Sequence, residues 1–337
     1  MVLYNNLSGD EAMSKIVVVG SLNMDTVVYA ESLPQVGETI IGTDVQHIPG
    51  GKGANQAYAV GKLGGSVAMI GAIGADDHGR ALKKNLESVG VNTEGIIEKC
   101  DVPTGNAFIE VNQQGENHII VIPGANYCLT KEDIDQHLAL IKNCEVVMMQ
   151  LEIPLDVVHY VKEVAKSFGK KVIIDPAPAQ SGLDLEFFSD VDVMKPNETE
   201  LATLTGTSDP VICDGPLAKC QQLLEAAQQI IQKGVKQLLV TVGPRGGLLI
   251  AKDAVMSFAG VSVDSVDTTA AGDSFLAAYV VALTEGKEET EALEFARFAS
   301  ALVVTKAGAQ SSIPTAEEVL KFKEEWVKKT DEKKNNH

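Results

Sequence analysis

EVVMMQLEIPLDVVHYVKEVAKSFGKKVIIDP (residues 145–176) reads as strand, helix, strand. EVVMMQL (145–151) and KVIIDP (171–176) are short apolar runs, and a helical pattern separates them. A run that is apolar at every residue is covered on both faces, as in a parallel sheet between helical layers. The rhythm extends in both directions. VDVMKPN (191–197), QLLVTVG (237–243) and GLLIA (247–251) read as further strands, and Ala271–Thr284 and Thr290–Val304 as helices. Upstream, KIVVVGS (15–21) and SVAMIGAIG (66–74) are strands, with helices at Ala54–Leu63 and His78–Val89. This alternation predicts a three-layer α/β/α domain on an open, mostly parallel sheet.

Two patches break the rhythm. TVVYAESLPQVGETIIGTDVQHIPGG (26–51) mixes short alternating segments with Pro34, Gly37, Gly42 and Pro49, and reads as antiparallel strands. Alternation returns in NAFIEVNQQGENHIIVI (106–122), with Gln114-Gly115 at a hairpin tip. Far apart in sequence, the two patches are expected to pair as a small inserted β-sheet, a lid. The expected boundaries are an N-terminal extension over 1–14, an α/β domain over 15–26, 49–103 and 123–322, and the lid over 27–48 and 104–122. A charged tail spans 323–337, and its end, KKTDEKKNNH, is expected to fray.

With 337 residues, 45% of them hydrophobic, the chain can bury a sizeable core. Its 28 basic and 46 acidic residues leave a net charge of −18. That balance, with basic residues clustered only at the C-terminus, argues against nucleic acid and anionic membrane as partners. No apolar run is long enough to cross a bilayer. MVLYNNLSGDEAM (1–13) has neither the basic start nor the apolar stretch of a secretory signal, so a cytoplasmic location is expected. Cys100, Cys128, Cys144, Cys213 and Cys220 are odd in number and form no CxxC pair, so free thiols are expected.

The chemistry concentrates in a few stretches. In DTTAAGDSF (267–275) small residues lead into an apolar helix. Unpaired N–H groups at a helix start and the helix dipole favour an anion there. Asp273 then lies beside that anion, where a carboxylate makes sense as a base toward an attacking hydroxyl. GGKGANQ (50–56) permits close backbone approach and offers Lys52 and Asn55 as donors to a polyol. It lacks the spacing and the Lys-Ser/Thr ending of a P-loop. GSLNMD (20–25) places polar side chains where α/β sheets bind ligands. KPNETE (195–200) brings Asn197 and Glu200 toward a hydrated Mg²⁺, although alone its acids read as first-turn helix residues. TVGPRG (241–246) is a turn whose amides can cradle a polyphosphate.

Together these stretches resemble the ribokinase-like (PfkB) carbohydrate kinase family. GGKGANQA (50–57) and DTTAAGDSF stand in the family's order with NETE and TVGPRG between them, and the likeness runs over about residues 15–315. MQLE (149–152) and KAGAQSS (306–312) narrow it within the family. The resemblance implies phosphoryl transfer from MgATP to O5 of D-ribose. By it, Asn23, Asp25, Gly51, Lys52, Asn55 and Glu152 hold the sugar, with Ala107 and Ile109 on the lid face above it. Asp273 is the base, and Ala270, Ala271 and Gly272 form the anion hole. Asn197, Thr241, Gly243, Arg245, Gly246, Gly272 and Arg297 fall at nucleotide positions, and Glu200 at one acting on Mg²⁺. Asp267, Thr269, Val303, Lys306, Gly308 and Ser312 match a monovalent-cation site for K⁺. A homodimer through the lid is also implied.

Two residues depart from the pattern. Pro244 has no N–H to offer phosphate, and Arg297 stands where a neutral or histidine side chain often flanks adenine. Alternatives are a kinase of another sugar or nucleoside (deoxyribose, fructose or adenosine type) and a non-catalytic sugar- or nucleotide-binding regulator. Intact Asp273 and the small residues before it weigh against the regulator.

Overall fold

A computed structural model describes residues 13–207, 213 and 215–335; residues 1–12 of the expected N-terminal extension lie outside it. The chain enters through β1 (Ile16–Val19) and passes to β2 (Asn23–Tyr29), β3 (Asp44–Gly50) and α1 (Lys52–Lys62). Then come β4 (Val67–Gly74), α2 (Asp77–Glu87), β5 (Asn92–Lys99), β6 (Asn106–Val111) and β7 (Asn117–Ile122). Next are α3 (Lys131–Gln136), α4 (Leu138–Asn143), β8 (Val146–Met149), α5 (Leu155–Ser167), β9 (Lys171–Ile174) and β10 (Val193–Met194). The last part holds α6 (Glu198–Thr205), α7 (Gln221–Gln232), β11 (Gln237–Thr241), β12 (Gly246–Ala251) and β13 (Ala254–Ala259), then α8 (Ala271–Thr284), α9 (Glu289–Val303) and α10 (Ala316–Asn335).

Nine strands form the large sheet in the order β13-β12-β11-β10-β9-β8-β1-β4-β5. From β5 to β11 all pairs are parallel; β12 and β13 close one edge antiparallel. The continuous apolar runs have a direct cause. Ile16 and Val18 of β1 pack into a core that includes α1, α8 and α9, while Val17 and Val19 pack into a second core with α5 and α7. Each residue of a strand covered on both faces must be apolar. β1 sits between β4 and β8, so the strand order reverses there, and ligands gather at the carboxyl ends of strands beside such a reversal.

The second sheet has four strands in the order β3-β2-β6-β7. The two alternating patches therefore pair as expected, β2 parallel to β6 through Thr26 opposite Phe108. Its pairing starts at Asn23 and runs to Gly50, a few residues wider than the sequence pattern shows. The charged residues after 322 continue α10 to Asn335, and Trp326 lies edge-on to Phe298 of α9. The expectation of free thiols throughout is corrected at one pair. Cys213 and Cys220 form a disulfide, because the turn at Leu217–Lys219 brings their Cα atoms to 5.5 Å.

Candidate active site

The carboxyl ends of the parallel strands carry the polar residues. The end of β1 delivers Ser21, the start of β2 Asn23, β8 Gln150 and Glu152, β9 Asp175, β10 Lys195 and Asn197, and β11 Thr241. Into this row points the start of α8. Ala270 stands before the helix with φ of 59°, a left-handed conformation, and no side chain caps the turn. The Ala271 N–H donates to the Thr268 carbonyl at 3.2 Å, while among the described residues the N–H groups of Gly272 and Asp273 have no backbone partner. Lys195 reaches the same point: a Cβ on Gly272 would come within 2.9 Å of its Nζ. A helix N-terminus with free amides and an adjacent ammonium favours an anion.

Asp273, only 5% exposed, stands on the first turn of α8. Asn55 Nδ2 donates to one of its oxygens at 3.2 Å and Gln56 Nε2 to the other at 3.0 Å. Gln56 Nε2 also donates to Asp175 at 3.1 Å, and Asp175 lies 3.7 Å from the Lys195 ammonium. Gln150 Nε2 donates to the Gln56 carbonyl at 2.6 Å.

α1 begins at Gly51 with φ of 84°, and a Cβ there would lie 2.8 Å from the Asn23 nitrogen. Glycine lets the helix start nest against the end of β1. Glu152 accepts there from the Ser21 hydroxyl at 2.5 Å and from the Lys52 N–H at 3.0 Å. Burial disfavours the Lys52 ammonium, but Asp273, Asp175, Glu152 and Glu200 together outweigh that and hold its pKa above the usual lysine value. Burial, helped by the charge of Glu152, raises the Asp25 carboxyl to about 7 against a backbone hydrogen bond from Ala107. Asp25 Oδ1 is buried and has no hydrogen-bond partner, so it is an open acceptor. Above it, Ala107 is buried and Ile109 half-buried on β6. Asp25, Lys52, Asn55, Glu152 and Asp273 thus meet in one cleft. The Asn23 side-chain oxygen accepts from Asn126 Nδ2 at 2.8 Å.

A second group follows β10 and β11. Asn197 and Thr241 form a bridge between the strand ends. Asn197 and Glu200 also form a reciprocal cap on α6, with bonds of 2.7 and 2.8 Å. Burial and then the charge of Asp175 raise the Glu200 pKa. Gly243 and Gly246 take positive φ around Pro244. The Arg245 guanidinium points out of this turn and donates to the carbonyls of Cys213 and Gly215. Arg297 donates to the Ala259 carbonyl at 3.2 Å, stacks over Phe298 and lines a cleft with Phe258 and Glu294.

The third group is joined through Asp267. One oxygen accepts from Thr269 N–H and Oγ1, and the other accepts from the Gly308 N–H at 2.9 Å. The Val304 carbonyl accepts from Val266 N–H at 2.7 Å, and the Lys306 N–H donates to the Val303 carbonyl. Ser312 is fully buried and its hydroxyl donates to Ala309.

Sequence reasoning gave no role to Gln56, Gln150, Asp175, Lys195 or Gln310, all buried around Asp273 or α8. Their signal is present, since each is a polar residue abutting an apolar strand or lying inside a quoted motif.

The profile of the pfkB family of carbohydrate kinases matches residues 13–316. This chain belongs to that family. Among pfkB-family relatives, the ribokinase of Haemophilus influenzae is 40% identical over 309 residues, 92% of this chain and 98% of that protein. The deoxyribokinase of Salmonella typhi is 35% identical over 91% of this chain and 98% of its own length. The crystal structure of the Thermotoga maritima ribokinase superposes with a TM-score of 0.83 at 40% identity, covering 93% of this chain and 100% of that one. The Arabidopsis thaliana ribokinase complexed with ribose and ATP gives a TM-score of 0.82 at 34% identity, over 92% and 98%.

Proposed function

We propose that this pfkB-family enzyme transfers the γ-phosphoryl group of ATP to O5 of D-ribose, giving D-ribose 5-phosphate and ADP. The carrying observation is the buried Asp273 carboxylate, held by two amides at the start of α8, in one cleft with Asp25, Lys52, Asn55 and Glu152. A cleft lined by carboxylates, an ammonium and an amide suits a ligand with several hydroxyls, and the ribokinase likenesses select ribose.

In this reading Asp273 accepts the O5 proton as O5 forms its bond to the γ-phosphorus and ADP leaves. The Gly272 N–H and the Lys195 ammonium stabilise the negative charge that spreads over the phosphoryl oxygens. Asp25, Lys52 and Glu152 orient the sugar, and the lid face at Ala107 and Ile109 excludes water. Thr241 and the glycines at 243 and 246 carry the phosphates, and Arg297 flanks the base. Arg245 acts indirectly, by tying this turn to residues 213–215.

Mg²⁺ bound with the ATP phosphates would neutralise charge on the transferred group. Glu200 would act on that ion through water. Asp267, Thr269, Val303, Lys306, Gly308 and Ser312 would hold K⁺, a reading supported by the meeting of the two segments at Asp267 and Gly308. We also infer a homodimer through the lid and a cytoplasmic location. No described helix is long and apolar enough to cross a membrane.

A panel of ribose, 2-deoxyribose, fructose and adenosine with MgATP and detection of ADP tests the reading. The highest kcat/KM is expected with ribose, and the product carries phosphate on O5. Preference for 2-deoxyribose would move the assignment to the deoxyribokinase type, and ADP release without any acceptor dependence would remove it.

A further inference from the structure

We propose that Gln310 is a positioning residue for the catalytic carboxylate, acting through Asn55; the proposal rests on Asp273 being the base. Each oxygen of Asp273 accepts from a primary amide, Asn55 on one side and Gln56 on the other. An amide side chain has a donor end and an acceptor end. Turned over, it would press a carbonyl oxygen against the carboxylate. Something must therefore set its direction. For Gln56 that is Gln150, whose Nε2 donates to the Gln56 oxygen. For Asn55 it is Gln310, whose Nε2 donates to Asn55 Oδ1 at 3.1 Å. Gln310 is in turn directed by Asn85, whose Nδ2 donates to Gln310 Oε1 at 2.5 Å.

Gln310 is 4% exposed, and Asn55 is buried with it, so water does not compete for these bonds. None of the three amides titrates, so the direction of the relay is the same at every pH. The relay crosses the fold from α2 through the turn at 310–312 to α1 and then α8. That turn starts two residues after Gly308, whose N–H holds Asp267. The base and the candidate cation loop are thus joined through one short segment.

The test is a double-mutant cycle on the full chain with ribose and MgATP, using Gln310→Met, Asn55→Ala and the double variant, beside Asp273→Asn. Gln310→Met should lower kcat about tenfold, because Asn55 loses the bond that sets its direction and with it the directed hydrogen bond to the charged Asp273. KM for ATP should stay as in the wild type. In the Asn55→Ala background the same change should lower kcat no further, because its route to the base is gone. With its carboxyl ionised, Gln310→Glu can still accept from Asn85 but offers Asn55 no donor, so in that form it should lose as much kcat as the methionine variant. If Gln310→Met does not fold, the cycle is run with Gln310→Glu. A wild-type kcat in either Gln310 variant, or an equal loss with and without Asn55, overturns the relay. Turnover retained by Asp273→Asn would instead overturn the base, whatever Gln310 does.

Discussion

The Asp25 side chain is where burial has its clearest consequence. Its carboxyl is raised from 3.8 to about 7, first by desolvation and then by Glu152. Between those values the folded protein keeps a proton that the unfolded chain has lost. Stability therefore falls as pH rises through that window, and the full cost is present above it. Asp25→Asn removes the cost, so thermal melts should show the variant more stable than the wild type at about pH 8 and equal to it near pH 4. Ribose hydroxyls donate best to the ionised form. Calorimetric affinity for ribose should rise from about pH 6 to about pH 8 in the wild type and stay flat in Asp25→Asn. A wild-type affinity that does not change over this range would remove Asp25 from the sugar contacts. At this scale the sequence showed its charged residues well. Lys52, Glu152 and Asp273 stand in short motifs, and the structure brings them into one cleft. The amides at 56, 150 and 310 passed unread, because a neutral side chain leaves no charge pattern and the three come from distant segments.

At the level of elements, the start of α8 carries the proposed chemistry. Ala270 in the left-handed region turns the chain so that the helix opens toward Lys195 and Asn55 without a capping side chain. Asp267 fixes the preceding turn by accepting from Thr269 and from Gly308. A monovalent cation bound there would neutralise Asp267 and stiffen the same turn. Activity should rise when K⁺ replaces tetramethylammonium at equal ionic strength, and Asp267→Ala should lose most of that dependence while melting as a folded protein. Equal wild-type rates in the two salts would sink the cation site. Long apolar strands were readable because both faces are covered. Others were not. VDVMKPN yields only Val193–Met194 as strand, although the Lys195 N–H still donates to the Ile174 carbonyl and the Pro196 carbonyl accepts from the Thr241 N–H where the site begins. β5 was missed because NTEGIIEK alternates weakly, and β13 because it lies at the exposed edge of the sheet. The Cys213–Cys220 pair could not be seen in the spacing alone; it depends on the turn at 217–219.

The whole molecule is a two-cored sheet with a small second sheet, and that small sheet exposes an apolar edge strand. Ile119, Ile120, Val121 and Ile122 of β7 are each 44–66% exposed on the free edge of that sheet. An apolar edge strand is a template for pairing. Sedimentation velocity should therefore show a dimer that Ile120→Asp converts to a monomer; a monomeric wild type would contradict the lid interface. The architecture was legible from the strand-helix rhythm because every layer follows from which faces are covered, whereas the wider start of the small sheet at Asn23 depends on pairing with Gly50, which no local pattern reveals. All of these levels converge on one carboxylate, buried where the reversal of strand order, the start of α8 and the small sheet meet. The most direct measurement is the turnover of Asp273→Asn with ribose and MgATP, with ribose binding checked by calorimetry on the same sample. Loss of a general base predicts a fall in kcat of about 10²–10⁴-fold with ribose affinity preserved; a variant that binds ribose and keeps most of its turnover would contradict the account.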